Sequence, residues 1–291
     1  MLKRTKGEKV FAVFNGLILS AIGLACVIPI WHCICASFSD PLALSAHRGL
    51  TLYPLGNVTL KGYEQCFKNQ DLIRGYANTL LYLVTGTAFG VTLTVMAGYG
   101  LSRKLLWGRV IALFITFTMM FNGGIIPTYM VVRNLGMLDT RWAIVLPTAV
   151  SVFNIMVTRT SFAAIPEGML EAAHIDGAGH LRVLWSVVLP VSKSILAVIT
   201  LFYAVQIWNS WFHTAIYVSD RKLYPLQIIL REIVLQSTAT NLDGAEANEV
   251  NVIQVLIKYC VIMISIVPMM VIYPFVQRYF VSGVMIGSIK G

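Results

Sequence analysis

The sequence predicts an all-α membrane protein with six transmembrane helices. Hydrophobic residues make up 57% of the 291 residues and charged residues only 12%, and the mean hydropathy is +0.74. A soluble domain is typically ~25% charged, so a chain of this composition needs lipid as part of its solvent. The apolar residues also cluster into six stretches long enough to cross a bilayer. Backbone groups within lipid must be hydrogen-bonded inside their own segment, which favours helices.

The six predicted spans are of unequal length, and the fourth and fifth are the shortest. The first follows a basic N-terminus like that of a signal peptide, but its apolar run is longer than the ~7–15 residues of a signal core, so we predict a retained helix. The chain is predicted to be a single transmembrane domain over residues 1–291, with a cytoplasmic loop at 159–193 and a C-terminal tail at 283–291. The approximate spans are 10–38, 76–101, 110–132, 142–158, 194–211 and 252–276.

The charged residues indicate an orientation and exclude one class of partner. The formal net charge is +9, but the basic residues are scattered between apolar runs and form no patch of the kind that binds nucleic acid. Slightly more than half of the lysines and arginines lie on the same side as the N-terminus, which predicts cytoplasmic termini. Lys258 is the one charged residue inside a span, and its position near the outer end predicts that its ammonium group reaches the membrane interface.

Several chemical groups are missing from the sequence, and each absence bears on mechanism. No aspartate or glutamate lies within a span, and His32 and His213 lie towards helix ends, which argues against proton coupling. Sodium coupling stays open, because unwound backbone carbonyls can bind sodium. The chain has no phosphate-binding loop and no metalloprotease or serine-hydrolase motif, and its five cysteines follow no zinc pattern. We therefore expect no ATP site, no metal and no catalytic residue in this chain.

Two segments predicted on the outer face are long. Residues 39–75 carry several turn-forming prolines and glycines. In the last outer segment, His213–Asn251, apolar residues recur at helical spacing between Leu223 and Val234, so we predict an amphipathic helix at the outer face. The polar stretch Ser237–Glu249 that follows is predicted to be a loop.

The cytoplasmic loop after the fourth span is predicted to contain a short helix, Pro166–Gly177. Pro166 suits the first turn of a helix, because its missing N–H costs nothing there. Gly177 can take the left-handed conformation that ends a helix. The helix carries more apolar residues, Leu170 among them, than a solvated loop requires. Two interpretations stay open: the helix packs on its own bundle, or it docks into a groove of another protein.

This loop resembles the EAA loop of bacterial ABC importer permeases. The family pattern has an aliphatic residue, usually isoleucine, where Val187 stands, which is a conservative departure. The matching positions have the family's fixed spacing, and the resemblance implies that the helix Pro166–Gly177 is a coupling helix that contacts an ATPase subunit. The residues that carry the likeness are Glu171, Ala172, Ala173, Gly177, Val187, Leu189 and Pro190.

The likeness extends over most of the chain. Asn122–Tyr129, Leu135–Thr140 and the ending Tyr273–Phe280 with Gly283–Gly291 resemble the sugar-importer branch. The chain is most similar to the second permease of the maltose-type group, and within it to the subgroup that imports larger oligosaccharides such as plant cell-wall or alginate fragments.

This resemblance implies a fold, a location and a set of partners. The fold is that of a type I ABC importer permease, in the cell membrane of a prokaryote. The partners are a second permease, two ATPase subunits that bind ATP and magnesium, and an extracytoplasmic solute-binding protein. The tail, with Gly283, Gly287 and Lys290, corresponds to the segment that reaches the ATPase interface in the family.

Polar and aromatic residues at helical spacing in the fourth and fifth spans are candidates for a sugar pathway. Sugars offer hydroxyl groups and an apolar C–H face, so their sites combine polar groups with aromatic rings. The alternative is that these residues hydrogen-bond neighbouring helices. The candidates are Asn154, Tyr203, Gln206, Trp208, Asn209 and Trp211.

The sequence therefore predicts the permease subunit of an ATP-driven importer for a carbohydrate, expected to be an oligosaccharide. Because the EAA loop does not contact substrate, an ABC permease for a non-sugar solute is a first alternative. A sodium-coupled carrier or channel that works alone is a second.

Overall fold

The computed structural model describes residues 5–103, 106–121, 123–242 and 249–288. Every regular element within these residues is helical, which confirms the all-α fold class. The α-helices are α1 (Lys6–Ser37), α2 (Pro41–Ala46), α3 (Lys61–Lys68), α4 (Gln70–Ser102), α5 (Gly108–Met120), α6 (Ile125–Asn134), α7 (Trp142–Val145), α8 (Val152–Ala163), α9 (Glu167–Ile175), α10 (His180–Val183), α11 (Leu189–Val191), α12 (Lys193–Trp208), α13 (Phe212–Tyr217), α14 (Leu226–Leu242) and α15 (Glu249–Ser288).

Three helices among the described residues are long and apolar enough to cross a bilayer without a break. They are α1, α4 and the part of α15 from Val252 to Pro274. Helix α1 begins at Lys6 rather than near residue 10, because Thr5 and Glu8 form a capping box. The Glu8 N–H donates to Thr5 Oγ1 at 3.3 Å, and the Thr5 N–H donates to Glu8 Oε2 at 2.8 Å.

The third and fourth predicted spans are not single straight helices. In the third, α5 ends at Met120 and α6 begins at Ile125, with Gly124 at a left-handed φ of 87° that interrupts the helix. In the fourth, the segment Trp142–Thr148 meets α8 at 49°. The fifth predicted span is the single helix α12 as far as Trp208, and the segment His180–Val191, which precedes the predicted span, meets α12 at 89°. If each bent pair is one span, the described residues contain up to six.

Two predictions near the C-terminus are wrong over part of their length. The predicted outer loop is helical as far as Leu242, where α14 ends, while residues 243–248 lie outside the described residues. Helix α15 continues to Ser288, past the predicted end of the last span at residue 276, so the tail is helical over 283–288. A glycine costs ~1 kcal/mol in a helix, and a helix that is already nucleated can extend over isolated glycines despite that cost.

The chain forms two compact units, each assembled from segments that are distant in sequence. One comprises Met1–Gln70 and Leu230–Val267, and the other Asp71–Ile229 and Pro268–Gly291. In the first unit, the Tyr63 hydroxyl on α3 donates to Ser37 Oγ at 2.9 Å. Burial raises the pKa of this tyrosine above its ordinary value. Because both units are discontinuous, the chain does not divide into sequential domains.

In the second unit, α4 packs closely against α8 and α12. Its Gly98 faces Thr158 on α8 so closely that a Cβ at this position would lie 2.7 Å from Thr158 Cγ2. Its Thr94 lies 2.6 Å from the hydroxyl of Tyr203 on α12. The last turns of α4 thereby fix the positions of α8 and α12, the two helices that flank the predicted cytoplasmic loop.

Candidate functional site

The predicted coupling helix exists as α9, directly after α8. Pro166 lies just before the first helical residue in an extended conformation, with φ −55° and ψ 130°, rather than inside the first turn as predicted. Glu167 then begins the helix, where the macrodipole favours a negative charge. The boundary differs from the prediction by one residue, because a proline fits both the first turn and the position before it.

The C-terminal end of α9 is a Schellman turn built on Gly177. This glycine has φ 80°, as the sequence predicted. The Ala178 N–H donates to Ala173 O at 2.9 Å and the Gly177 N–H donates to His174 O at 3.0 Å, the two bonds that define the motif. The turn reverses the chain towards α10, so Gly177 sets the angle between α9 and the segment that follows.

The inner face of α9 packs on the chain's own helices. Leu170 is buried, and Ala173 packs against the same cluster. Leu189 also contacts this cluster, whereas Pro190 is exposed. The first of the two interpretations is therefore correct for this face. The buried members of the cluster are Val95, Tyr99, Phe162, Ile165, Leu170, Val183, Leu184, Val188 and Ile199.

The outer face of α9 is apolar and uncovered. Ile175 is 85% exposed and Met169 43%, and Ala172 and Glu171 are also exposed. Trp185, in the following segment, is 69% exposed. Within the described residues the Glu171 carboxylate has no ion pair or hydrogen bond. Contiguous exposed apolar residues beside a free charge are typical of a protein-binding surface, so the second interpretation is open for this face. We call the exposed α9 residues Met169, Glu171, Ala172 and Ile175 the outer α9 surface.

Two arginines link α4 and α8 near the start of this loop. Arg103 Nη2 donates to Phe162 O at 3.2 Å, and Arg159 Nε donates to Leu101 O at 3.1 Å. Each cation thus bonds a carbonyl at the C-terminal end of the other helix, where the helix dipole is negative. The sequence argument used both arginines only for orientation. A basic residue near the last turn of a helix is the signal that could have indicated this role.

The candidate pathway residues fall into two groups. The Tyr203 hydroxyl accepts from the Ser151 N–H at 3.0 Å and contacts Thr94, and the Trp208 ring lies edge-on to Tyr76 at 6.1 Å. Tyr203, Trp208 and Asn154 are buried. The contacts of Tyr203 and Trp208 are of the inter-helix kind that was the alternative. A role of any of these three residues in the pathway stays a prediction.

Gln206 and Asn209 differ from this group because their side chains are exposed. Asn209 Nδ2 donates to Val205 O at 2.9 Å, which leaves its amide oxygen available. Trp211 is half-buried with its ring 5.5 Å from that of Phe212. A role of any of these residues in the pathway stays a prediction.

His213 lies just beyond these residues, at the start of α13. Its ring is 5.8 Å from that of Tyr217. Burial lowers the pKa of His213 below its ordinary value, because the charged form loses hydration. The imidazole is therefore neutral near pH 7.

Two of the predicted segments lie partly outside the described residues. Gly283 and Gly287 lie on α15, and Lys290 is outside the described residues. Asn122 of the sugar-importer likeness is outside them too. The role of the tail at an ATPase interface stays a prediction.

The fold and this loop define a class: a multi-pass membrane transport subunit with a helix displayed outside the apolar region. No protein-family model matches the chain. The chain is 36% identical to Protein LplC of Bacillus subtilis (strain 168), over all of this chain and 98% of that protein. It is also 36% identical to the polygalacturonan/rhamnogalacturonan transport system permease protein YtcP of the same organism, over 94% of this chain and 96% of the relative.

A solved structure has the same fold. It belongs to a bacterial ABC transporter involved in the import of the acidic polysaccharide alginate, with 29% identity, a TM-score of 0.84, and coverage of 96% of this chain and 100% of that chain. The chain belongs to the family of carbohydrate ABC-importer permeases.

Proposed function

We propose that this chain is a permease subunit of an ATP-driven importer whose cargo is an oligosaccharide derived from an acidic polysaccharide. The observation that carries the proposal is the near full-length similarity to a polygalacturonan/rhamnogalacturonan permease and to an alginate importer. The acidic nature of the cargo is the more specific part of the proposal, because these two relatives are named for different polymers. Within this chain, the exposed amides Gln206 and Asn209 are the first candidates for contacting sugar hydroxyls.

Energy for import comes, on this proposal, from two separate ATPase subunits, and a second permease completes the pathway. The support is the outer α9 surface, which combines exposed apolar side chains with a carboxylate that has no ion pair within the described residues. An apolar helix face that docks into a groove is a common mode of recognition, and the carboxylate can pair with a basic group there. The tail around Gly283 and Gly287 is proposed as a second contact with the ATPase subunits.

Location and orientation complete the proposal. The chain lies in the cytoplasmic membrane of a prokaryotic cell with both termini inside, and a solute-binding protein delivers the sugar from outside. The excess of basic residues on the N-terminal side supports this orientation. The relatives that match over nearly their full length and name a cargo are permeases for saccharides, which favours a sugar over a non-sugar solute. Membership of the ABC-importer family argues against a carrier or channel that works alone.

Uptake in cells tests the cargo. Cells that carry this chain with its neighbouring transport subunits should accumulate a radiolabelled oligogalacturonate, and cells in which only this chain is deleted should not. An excess of unlabelled oligogalacturonate should abolish the uptake, whereas an excess of a neutral maltooligosaccharide of equal length should not. Equal competition by the neutral sugar would remove the acidic part of the proposal, and uptake that survives the deletion would remove the transport role.

A further inference from the structure

The first unit contains a polar cavity that the transport argument does not use. Its volume is about 390 Å³, and it lies between the C-terminal part of α1, the segment after α2 and the N-terminal part of α15. The rings of His32 and Tyr259 form one wall, edge-to-face at 5.3 Å. The Thr51 N–H donates to His32 Nδ1 at 2.9 Å, which fixes the segment after α2 against α1.

The cavity is lined by cationic side chains and by no carboxylate among the described residues. Arg48 and Lys258 supply two basic side chains from different elements. Within the described part of the chain neither is ion-paired, and the Lys258 ammonium contacts only the Tyr259 ring, 4.8 Å from its centroid. Asp40, which precedes α2, is occupied as the cap of that helix, where it accepts from the N–H groups of Leu42 and Ala43. Two uncompensated cations at one cavity favour an anion.

A buried hydroxyl in the same cavity also lacks a partner. Thr51 is 1% exposed and lines the cavity, yet its Oγ1 has no hydrogen bond. A buried polar group without a partner costs free energy comparable to a lost hydrogen bond, so its presence calls for a partner. A ligand with acceptor oxygens would satisfy the hydroxyl and both cations together.

The position of the cavity identifies the source of that anion. From Lys6 to Ile34 helix α1 has no buried residue, so its apolar side chains are available for contact with lipid acyl chains. At the end of this stretch the Trp31 indole donates to Leu52 O at 2.9 Å, and a tryptophan anchored in this way is typical of the headgroup level. Lys258 and Tyr259 lie at the corresponding end of α15. Basic pockets at this depth are suited to lipid headgroups.

We propose that this cavity, the Arg48–Lys258 pocket, binds the phosphate group of an anionic membrane lipid. The phosphate oxygens accept from the Arg48 guanidinium, the Lys258 ammonium and the Thr51 hydroxyl, and the acyl chains lie along the exposed face of α1. The lipid thereby holds the segment after α2 against the ends of α1 and α15. This site is independent of cargo and of ATP.

Lipid titration of the purified full-length chain, followed by native mass spectrometry, tests the site. Wild type should retain one phosphatidylglycerol, and Arg48→Gln with Lys258→Gln should weaken that binding at least about tenfold, because charge-assisted hydrogen bonds are lost. Thr51→Val, which removes only the hydroxyl, should weaken it about threefold. The charge-preserving exchange Arg48→Lys with Lys258→Arg should retain the lipid and so confirms that the pocket tolerates substitution.

Three controls test whether the bound lipid occupies this pocket and whether its anionic headgroup is required. Lys61→Gln, an exposed lysine of the same unit outside the pocket, should bind phosphatidylglycerol like wild type. Phosphatidylcholine should bind equally weakly to all variants, and inorganic phosphate should not displace the lipid. Equal phosphatidylglycerol affinity in wild type and the double glutamine variant would overturn the site. Displacement by inorganic phosphate at equal concentration would overturn its assignment to a lipid.

Discussion

Gly177 is the residue on which the shape of the loop depends most directly. Its φ of 80° is reached by side-chain-bearing residues at a cost of ~1–2 kcal/mol, and β-branched residues pay more. We expect Gly177→Ala to lower transport, and Gly177→Val to lower it further, with the protein still inserted. The matched control is Gly179→Ala, since Gly179 has an ordinary φ of −71° and open space around its Cβ position. Equal uptake by Gly177→Val and the Gly179→Ala control would show that the turn is dispensable.

Glu171 tests whether the outer α9 surface meets a partner. The carboxylate is exposed and has no ion pair within the described residues, so a charge change should leave folding intact. If it pairs with a basic group in a desolvated groove, Glu171→Lys should cut uptake at least about tenfold, and the ATPase subunit should no longer co-purify. Glu64→Lys, an exposed carboxylate on α3, is the control. Retention of the ATPase subunit at full uptake would mean that α9 is only a connector.

Single residues differ in how far the sequence alone predicts their roles. The left-handed φ of Gly177 was predictable, because glycine after an acidic-to-apolar helix pattern is a local signal. The role of Tyr203 was not, because its partners Thr94 and Ser151 are distant in sequence and meet it only in the fold. The carbonyl contacts of Arg103 and Arg159 also join residues distant in sequence, although a basic residue near the last turn of a helix is a local signal for such a contact.

At the scale of elements, the packing of α4 on α8 holds the loop in place. A Cβ at Gly98 would meet Thr158 at 2.7 Å, while one at Gly100, on the same helix, would meet nothing within 4 Å. Replacing either glycine with alanine raises the helix propensity by the same amount. The difference in unfolding free energy between the two variants therefore reports the packing at position 98. We expect Gly98→Ala to have a free energy of unfolding ~1–3 kcal/mol lower than Gly100→Ala. Thermal unfolding of the detergent-solubilised chain measures this, and equal stability would contradict the packing argument.

Apolar runs in the sequence predict that a span exists, but they do not predict whether its helix is bent or broken. An apolar run has the same composition whether it is one helix or two, so the bends within the third and fourth predicted spans left little trace in hydropathy. Gly124 and Pro147 were the local signals of these breaks. The extension of α15 beyond residue 276 was missed because glycines in the tail outweighed the continuity of a long helix.

At the scale of the whole molecule, topology is the first property to test. The distribution of basic residues predicts that residues 213–251 lie outside and the C-terminus inside. In a background without the five native cysteines, Ser219→Cys should react with an impermeant thiol reagent added outside, and Ser288→Cys only after the membrane is opened. Reaction of both from the same side of sealed cells would contradict the predicted orientation, which requires an odd number of crossings between the two positions.

The central claim is that import through this chain is driven by ATP hydrolysed on other subunits, and reconstitution tests it most directly. Proteoliposomes containing this chain, its second permease, the ATPase subunits and the solute-binding protein should take up labelled oligosaccharide when ATP is enclosed. They should take up none with a non-hydrolysable ATP analogue, and this chain reconstituted alone should take up none under an imposed sodium gradient. Uptake by this chain alone, driven by sodium and indifferent to ATP, would contradict the account.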